Sequence, residues 1–129
     1  MILLDTHALI WMSADPKRLS RKAHDAIRKA RESTGIAVAT ITLWELALLA
    51  ERGRIQFSGT VESFVQETIS RVVLKPITPQ ISALAVRLPA IYPKDPADRL
   101  IGSTAINEGL PLVTADEQIR QSKLVEVIW

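Results

Sequence analysis

Short runs that are apolar at every position alternate along this chain with longer segments in which apolar residues recur every three to four positions. Ile2, Leu3 and Leu4 form the first run, which stops abruptly at Asp5. A run of that length and composition is expected of a strand buried on both faces. Ile36 to Ala39 reads as a second such strand, Val73 to Ile77 as a third, and Pro111 to Thr114 and Val125 to Ile128 as the last two. Between them lie helical stripes. Ser20 is placed as the N-cap of a helix reaching Glu32, with Ala23, Ala26, Ile27 and Ala30 on its apolar face. Thr42 opens the next helix and Gly53 follows its end, Val61 to Val72 carries another, and Ile81, Leu84, Ala85 and Leu88 keep a stripe behind Pro79. Ala97, Leu100, Ile101, Thr104 and Ala105 give a last helix, closed by Gly109. Strands alternating with helices, with no hairpin signal between them, predict an α/β fold: a parallel sheet with helices on both faces. The length of 129 residues, with 47% hydrophobic residues, suits a single domain spanning 1–129.

Ligands of such folds bind outside the carboxyl ends of the strands. Asp5 directly follows the first strand and Asp116 follows the fourth. Glu45 and Asp98 are expected in the first turns of helices whose starts face the same edge. Four carboxylates from distant parts of the chain therefore converge. Two like charges ~4 Å apart at an effective dielectric of 20 repel by roughly 4 kcal/mol, a cost that a divalent cation removes. Carboxylate ligands without Cys or a His cluster point to Mg2+ or Mn2+ rather than zinc. Such ions promote phosphodiester hydrolysis by activating a bound water.

Each acid also has a purely structural role available. Asp5 and Asp116 are good N-caps, Thr42-Leu43-Trp44-Glu45 has the form of a capping box, and Asp95-Pro96-Ala97-Asp98 resembles a capped helix start. Glu45 resists that explanation best, because it is the only polar residue between Leu43 and Ala50.

The segment Leu3-Leu4-Asp5-Thr6-His7-Ala8-Leu9-Ile10-Trp11 resembles the opening of VapC-type PIN-domain toxins. Leu43-Trp44-Glu45, Asp95-Pro96-Ala97-Asp98-Arg99-Leu100-Ile101, Leu110-Pro111-Leu112-Val113-Thr114-Ala115-Asp116 and the ending Val127-Ile128-Trp129 follow in the same order. The resemblance implies a three-layer fold with a five-stranded parallel sheet, magnesium-dependent cleavage of RNA, and inhibition by a small cognate antitoxin. It puts Asp5, Glu45, Asp98 and Asp116 on the family's acidic quartet, and Thr114 on a hydroxyl beside the last acid. The chain departs from close relatives before Asp95, where they often carry paired histidines and it has Tyr92, Pro93 and Lys94.

Other features narrow the reading. The net charge is only +2, but seven of the 16 basic residues (Lys17, Arg18, Arg21, Lys22, Arg28, Lys29 and Arg31) fall in one stretch suited to tracking an RNA backbone, or to facing water. The absence of cysteine excludes disulfides and thiolate chemistry and suits a reducing cytoplasm. The apolar N-terminus has no basic segment before it and is broken by Asp5, so neither a signal peptide nor a membrane span is expected. The nearly all-apolar helix from Trp44 to Ala50 suggests a homodimer or antitoxin surface. His7 is read as structural. A catalytically inactive PIN-like scaffold or binding module is the alternative to an enzyme. A phosphoacceptor receiver domain fits poorly, because the third strand ends in Pro76-Ile77-Thr78 rather than in an acid.

Overall fold

The computed structural model describes all residues, Met1–Trp129. Five strands, β1 (Ile2–Leu4), β2 (Ile36–Ala39), β3 (Val73–Lys75), β4 (Leu112–Val113) and β5 (Val127–Ile128), form one sheet in the order β3-β2-β1-β4-β5. Every pairing is parallel. Seven helices connect them: α1 (Thr6–Ala14), α2 (Arg21–Glu32), α3 (Ile41–Glu51), α4 (Val61–Thr68), α5 (Pro79–Arg87), α6 (Pro96–Glu108) and α7 (Glu117–Ser122). The expected five-stranded parallel α/β fold is the one observed. No helix is long and apolar enough to cross a membrane.

Strand side chains point alternately to the two faces of a sheet, and the core divides accordingly. Ile2, Leu4, Ile36, Val38 and Val113 join Ala8, Leu9, Ala23, Ile27 and Leu46 from helices on one face. Leu3, Ala37, Ala39 and Leu112 join Tyr92, Ile101, Ala105 and Ile119 on the other. Both faces of β1 are therefore covered, which explains why it is apolar at every position. Removing one of its fully buried leucines should cost about 2–5 kcal/mol.

Three local readings change. Helices α1 and α7 are marked in sequence only by their caps, Asp5 and Asp116, because α1 is apolar nearly all round and α7, at six residues, is too short to show a stripe. Strand β3 ends at Lys75 rather than Ile77 and lies at the sheet edge, with Val73 and Leu74 exposed rather than buried. The capping box at Thr42 to Glu45 does not form. Helix α3 starts at Ile41, so Glu45 lies two residues further in than expected, and Thr42 is buried inside the helix.

Candidate metal centre

The order of the strands decides where the functional edge lies. Successive strands run outward from β1 through β2 to β3, and the chain then returns to place β4 on the other side of β1. Where the strand order reverses, the connections leave toward opposite faces and open a crevice at the carboxyl ends of the two strands. That point falls between β1 and β4. Asp5 follows β1, and its N–H donates to the Val113 carbonyl of β4 (3.1 Å). The chain leaves β4 through Thr114 to Asp116, whose N–H donates to the Thr114 hydroxyl (3.1 Å).

Helix starts supply the rest. Asp5 is the N-cap of α1 and accepts from the Ala8 N–H through Oδ1 (2.8 Å). Asp116 caps α7 in the same way, accepting from the Ile119 N–H (2.9 Å). Asp95 caps α6, accepting from Ala97 and Asp98 through one oxygen, and Asp98 sits in the first turn of that helix. The positive ends of three helix dipoles thus meet these acids and offset part of their mutual repulsion. Capping occupies only Oδ1 of Asp5 and Asp116.

Glu45 reaches the same corner from α3. It accepts a short hydrogen bond from the Thr6 hydroxyl at the start of α1, and Thr6 in turn contacts the Thr42 hydroxyl (3.1 Å). Thr6 has one proton to give, so with Glu45 ionised Thr42 must donate to Thr6. The relay runs from Thr42 through Thr6 to Glu45, and both threonines are buried.

The acids feel one another. Burial pushes the Asp98 carboxyl up to about 7, with Asp95, Glu45, Asp116 and Asp5 adding repulsion. Asp5 is raised by burial against the opposing pull of Thr114 and Ala8, and Asp116 adds to the rise. Glu45 is also raised by burial, opposed by the Thr6 hydrogen bond and His7, with Asp95 and Asp5 contributing repulsion. All four predicted acids therefore share one electrostatic neighbourhood, although no three of them are gathered in ligand geometry. Each of Asp5, Glu45 and Asp116 is turned to a partner on its own chain. The donor set of hard carboxylates, with unused oxygens and a local excess of negative charge, fits magnesium or manganese.

Residues 2–123 match the family model described as PIN domain. The chain belongs to the PIN-domain family. It is 48% identical over 122 residues to Ribonuclease VapC22 of Mycobacterium tuberculosis, covering 95% of this chain and 92% of that protein. The PIN domain also shares its fold with two solved complexes at lower identity. VapBC2 from Rickettsia felis, bound to a DNA fragment from its promoter, superposes with a TM-score of 0.74 at 18% identity, covering 98% of this chain and 97% of the other. DNA-bound VapBC from Salmonella typhimurium gives 0.70 at 21% identity with the same coverage.

Within this PIN domain, several supporting residues had no role assigned from sequence. Thr6 is one, and Thr42, expected only as a helix cap, joins it; a polar residue near the start of an apolar helix was the available signal. Tyr92 is another: it is fully buried, and its hydroxyl donates to the Asp98 main-chain carbonyl (3.0 Å). Arg99 anchors the same turn by donating to the carbonyls of Ala85 (3.1 Å) and Leu88 (2.8 Å) at the end of α5. His7 is exposed and packs against Trp11 with ring centroids 5.9 Å apart, in keeping with a structural role. The seven clustered basic residues are all exposed, and Arg18 lies over the Trp11 ring.

Proposed function

We propose that this PIN domain is a magnesium- or manganese-dependent endoribonuclease, the toxin of a toxin–antitoxin pair, whose Asp5, Glu45, Asp98 and Asp116 hold the metal and carry RNA hydrolysis. The observation that supports the reading is the electrostatic coupling of these four acids, with Asp98 raised to about 7 by burial and then by the charges of its acidic neighbours. The 48% identity to a protein named a ribonuclease supports the substrate class.

A divalent ion bound there supplies charge neutralisation and a water of lowered pKa. The protein supplies the rest. Asp116 keeps one oxygen on its helix cap, and Asp5 is held by the Ala8 N–H and the Thr114 hydroxyl. Thr6 orients Glu45 and favours its charged form. Asp98, raised to about 7 without metal by burial and its acidic neighbours, gives up its proton as the cation binds. The N-termini of α1, α6 and α7 present a favourable field to phosphate oxygens.

The reading takes residues 1–129 as one cytoplasmic domain, with a cognate antitoxin and a second copy of the chain as partners. Trp44 is 57% exposed, and beside it Leu43 and Ala47 line an apolar groove of about 670 Å³ with Val61, Val65 and Ile69. Those surfaces support a protein partner. One observation favours the inactive-scaffold alternative: three of the four acids are already hydrogen-bonded within the chain. Purified protein incubated with RNA separates the two readings. The enzyme should cut with magnesium, stop with chelator, and lose cleavage in Asp5→Asn, which keeps the cap but not the charge. Intact RNA under all conditions, from protein that still binds manganese, would establish the scaffold.

A further inference from the structure

Asp98 is the one acid of the four without a side-chain hydrogen bond of its own, so its placement depends on the backbone of α6 and on whatever holds that turn. The turn is held from outside the helix. Tyr92 lies in the α5–α6 connection, is fully buried, and donates its hydroxyl to the Asp98 carbonyl (3.0 Å). A buried hydroxyl is unfavourable unless bonded, and this is the bond it makes. Space for it is specific. Gly102, one turn beyond Asp98 in α6, has no Cβ, and a Cβ built there would lie 2.0 Å from Tyr92 Oη and 2.6 Å from Cζ. Glycine inside a helix is unfavourable relative to alanine, so its presence facing Tyr92 is tied to this close approach.

The connection also reaches the helix that carries Asp116. The Ile91 carbonyl, next to Tyr92, accepts from Gln118 Nε2 of α7 (3.2 Å). The Tyr92 N–H donates to Pro89, which closes the turn between Pro89 and Tyr92. One short turn therefore touches both α6 and α7, whose N-termini carry Asp98 and Asp116.

We propose that Tyr92, seated in the space left by Gly102, is a positioning residue that sets the spacing of Asp98 from Asp116 and so tunes metal affinity. It touches neither metal nor substrate. The inference rests on the reading of the four acids as metal ligands. Outer partners that orient metal ligands typically contribute 10–100-fold in affinity, and Tyr92, acting through the main chain, should fall near about tenfold.

The test is calorimetric titration of Mn2+ into the full chain, as wild type, Tyr92→Phe, Gly102→Ala, the double variant and Asp98→Asn, with metal-free melting of each. Tyr92→Phe should raise the Mn2+ Kd about tenfold. Gly102→Ala should push Tyr92 aside and do the same, and the double variant should be no weaker than the weaker single variant, because both act through one hydrogen bond. A role confined to packing would lower the metal-free melting temperature and leave Kd unchanged. The proposal is overturned if Tyr92→Phe binds Mn2+ within twofold of wild type while Asp98→Asn loses binding, or if the two single effects multiply. Wild-type Kd in Asp98→Asn would bring down the metal-ligand reading itself, and this proposal with it. Should Gly102→Ala fail to fold, Tyr92→Phe decides alone.

Discussion

Asp98→Asn should make the protein more stable when no divalent metal is present, by an amount that grows from mildly acidic pH and is full at neutral to alkaline pH. The Asp98 carboxyl is raised from an ordinary 3.8 to about 7, chiefly by burial and then by Asp95, Glu45, Asp116 and Asp5. A raised carboxyl means that the native state binds more protons than the unfolded state between those values. Stability is therefore retained below about pH 4 and falls as pH rises toward 7. A difference of about 3 pH units corresponds to about 4 kcal/mol. Asp98 is partly exposed and its charge is shared among several acids, so about half of that survives solvent screening. Removing the negative charge from the first turn of α6 gives back roughly 0.3–1 kcal/mol of helix-dipole stabilisation. The net gain is about 1–2 kcal/mol, which for a chain of this length raises the melting temperature by about 4–7 °C. Thermal melts followed by circular dichroism in chelator at pH 5 and pH 8 measure it. The advantage should be largest at pH 8 and shrink at pH 5. A variant no more stable than wild type at pH 8, or equally advantaged at both pH values, would refute the claim that these acids repel one another.

Three further outcomes follow from the same geometry. Thr6→Val removes the donor to Glu45 and leaves the Thr42 hydroxyl buried without that contact, so it should cost about 1–3 kcal/mol. It should also raise the Glu45 carboxyl further and move the acid limb of the metal-dependent pH–rate profile to higher pH; an unmoved limb would remove Thr6 from the site. Asp116→Asn should keep the α7 cap and its stability but lose metal-dependent cleavage, whereas Asp116→Ala should also lose about 0.5–2 kcal/mol in denaturant unfolding. Equal stability of the two variants would contradict the cap. Reversing Arg21, Lys22, Arg28 and Lys29 to Glu should weaken RNA binding and flatten the slope of log K against log salt, and an unchanged slope would return α2 to a solvated face.

The parts of this protein that sequence made legible are those where the pattern has one physical cause. β1 and β2 are buried on both faces and read as unbroken apolar runs with correct ends. Ser20 and Gly109 mark the α2 start and α6 end by cap chemistry, Gly109 because its φ of 66° suits a residue without a side chain. Asp5 and Asp116 were visible because each follows an apolar run, Glu45 because it stands alone within one, and Asp98 because it lies three residues after Asp95 at a capped helix start. Features that arise only from packing were not. Thr42 looked like a cap partner of Glu45, yet tertiary contact with Thr6 took its hydroxyl inward and left Glu45 free of the box. The exposure of β3 follows from its place at the sheet edge, which no local pattern encodes. Tyr92 and Gly102 stand ten residues apart and acquire meaning only when α6 folds back on the turn before it.

The central claim is that Asp5, Glu45, Asp98 and Asp116 together hold a divalent cation. Electron paramagnetic resonance of Mn2+ reads it directly, because bound ions lose the six-line signal of the free ion. Titration of the wild type should show saturable binding that magnesium displaces, and Asp5→Asn, Glu45→Gln, Asp98→Asn and Asp116→Asn should each weaken it, with all four proteins folded. Binding that is absent from the wild type, or that survives unchanged in every one of the four variants, would contradict the account.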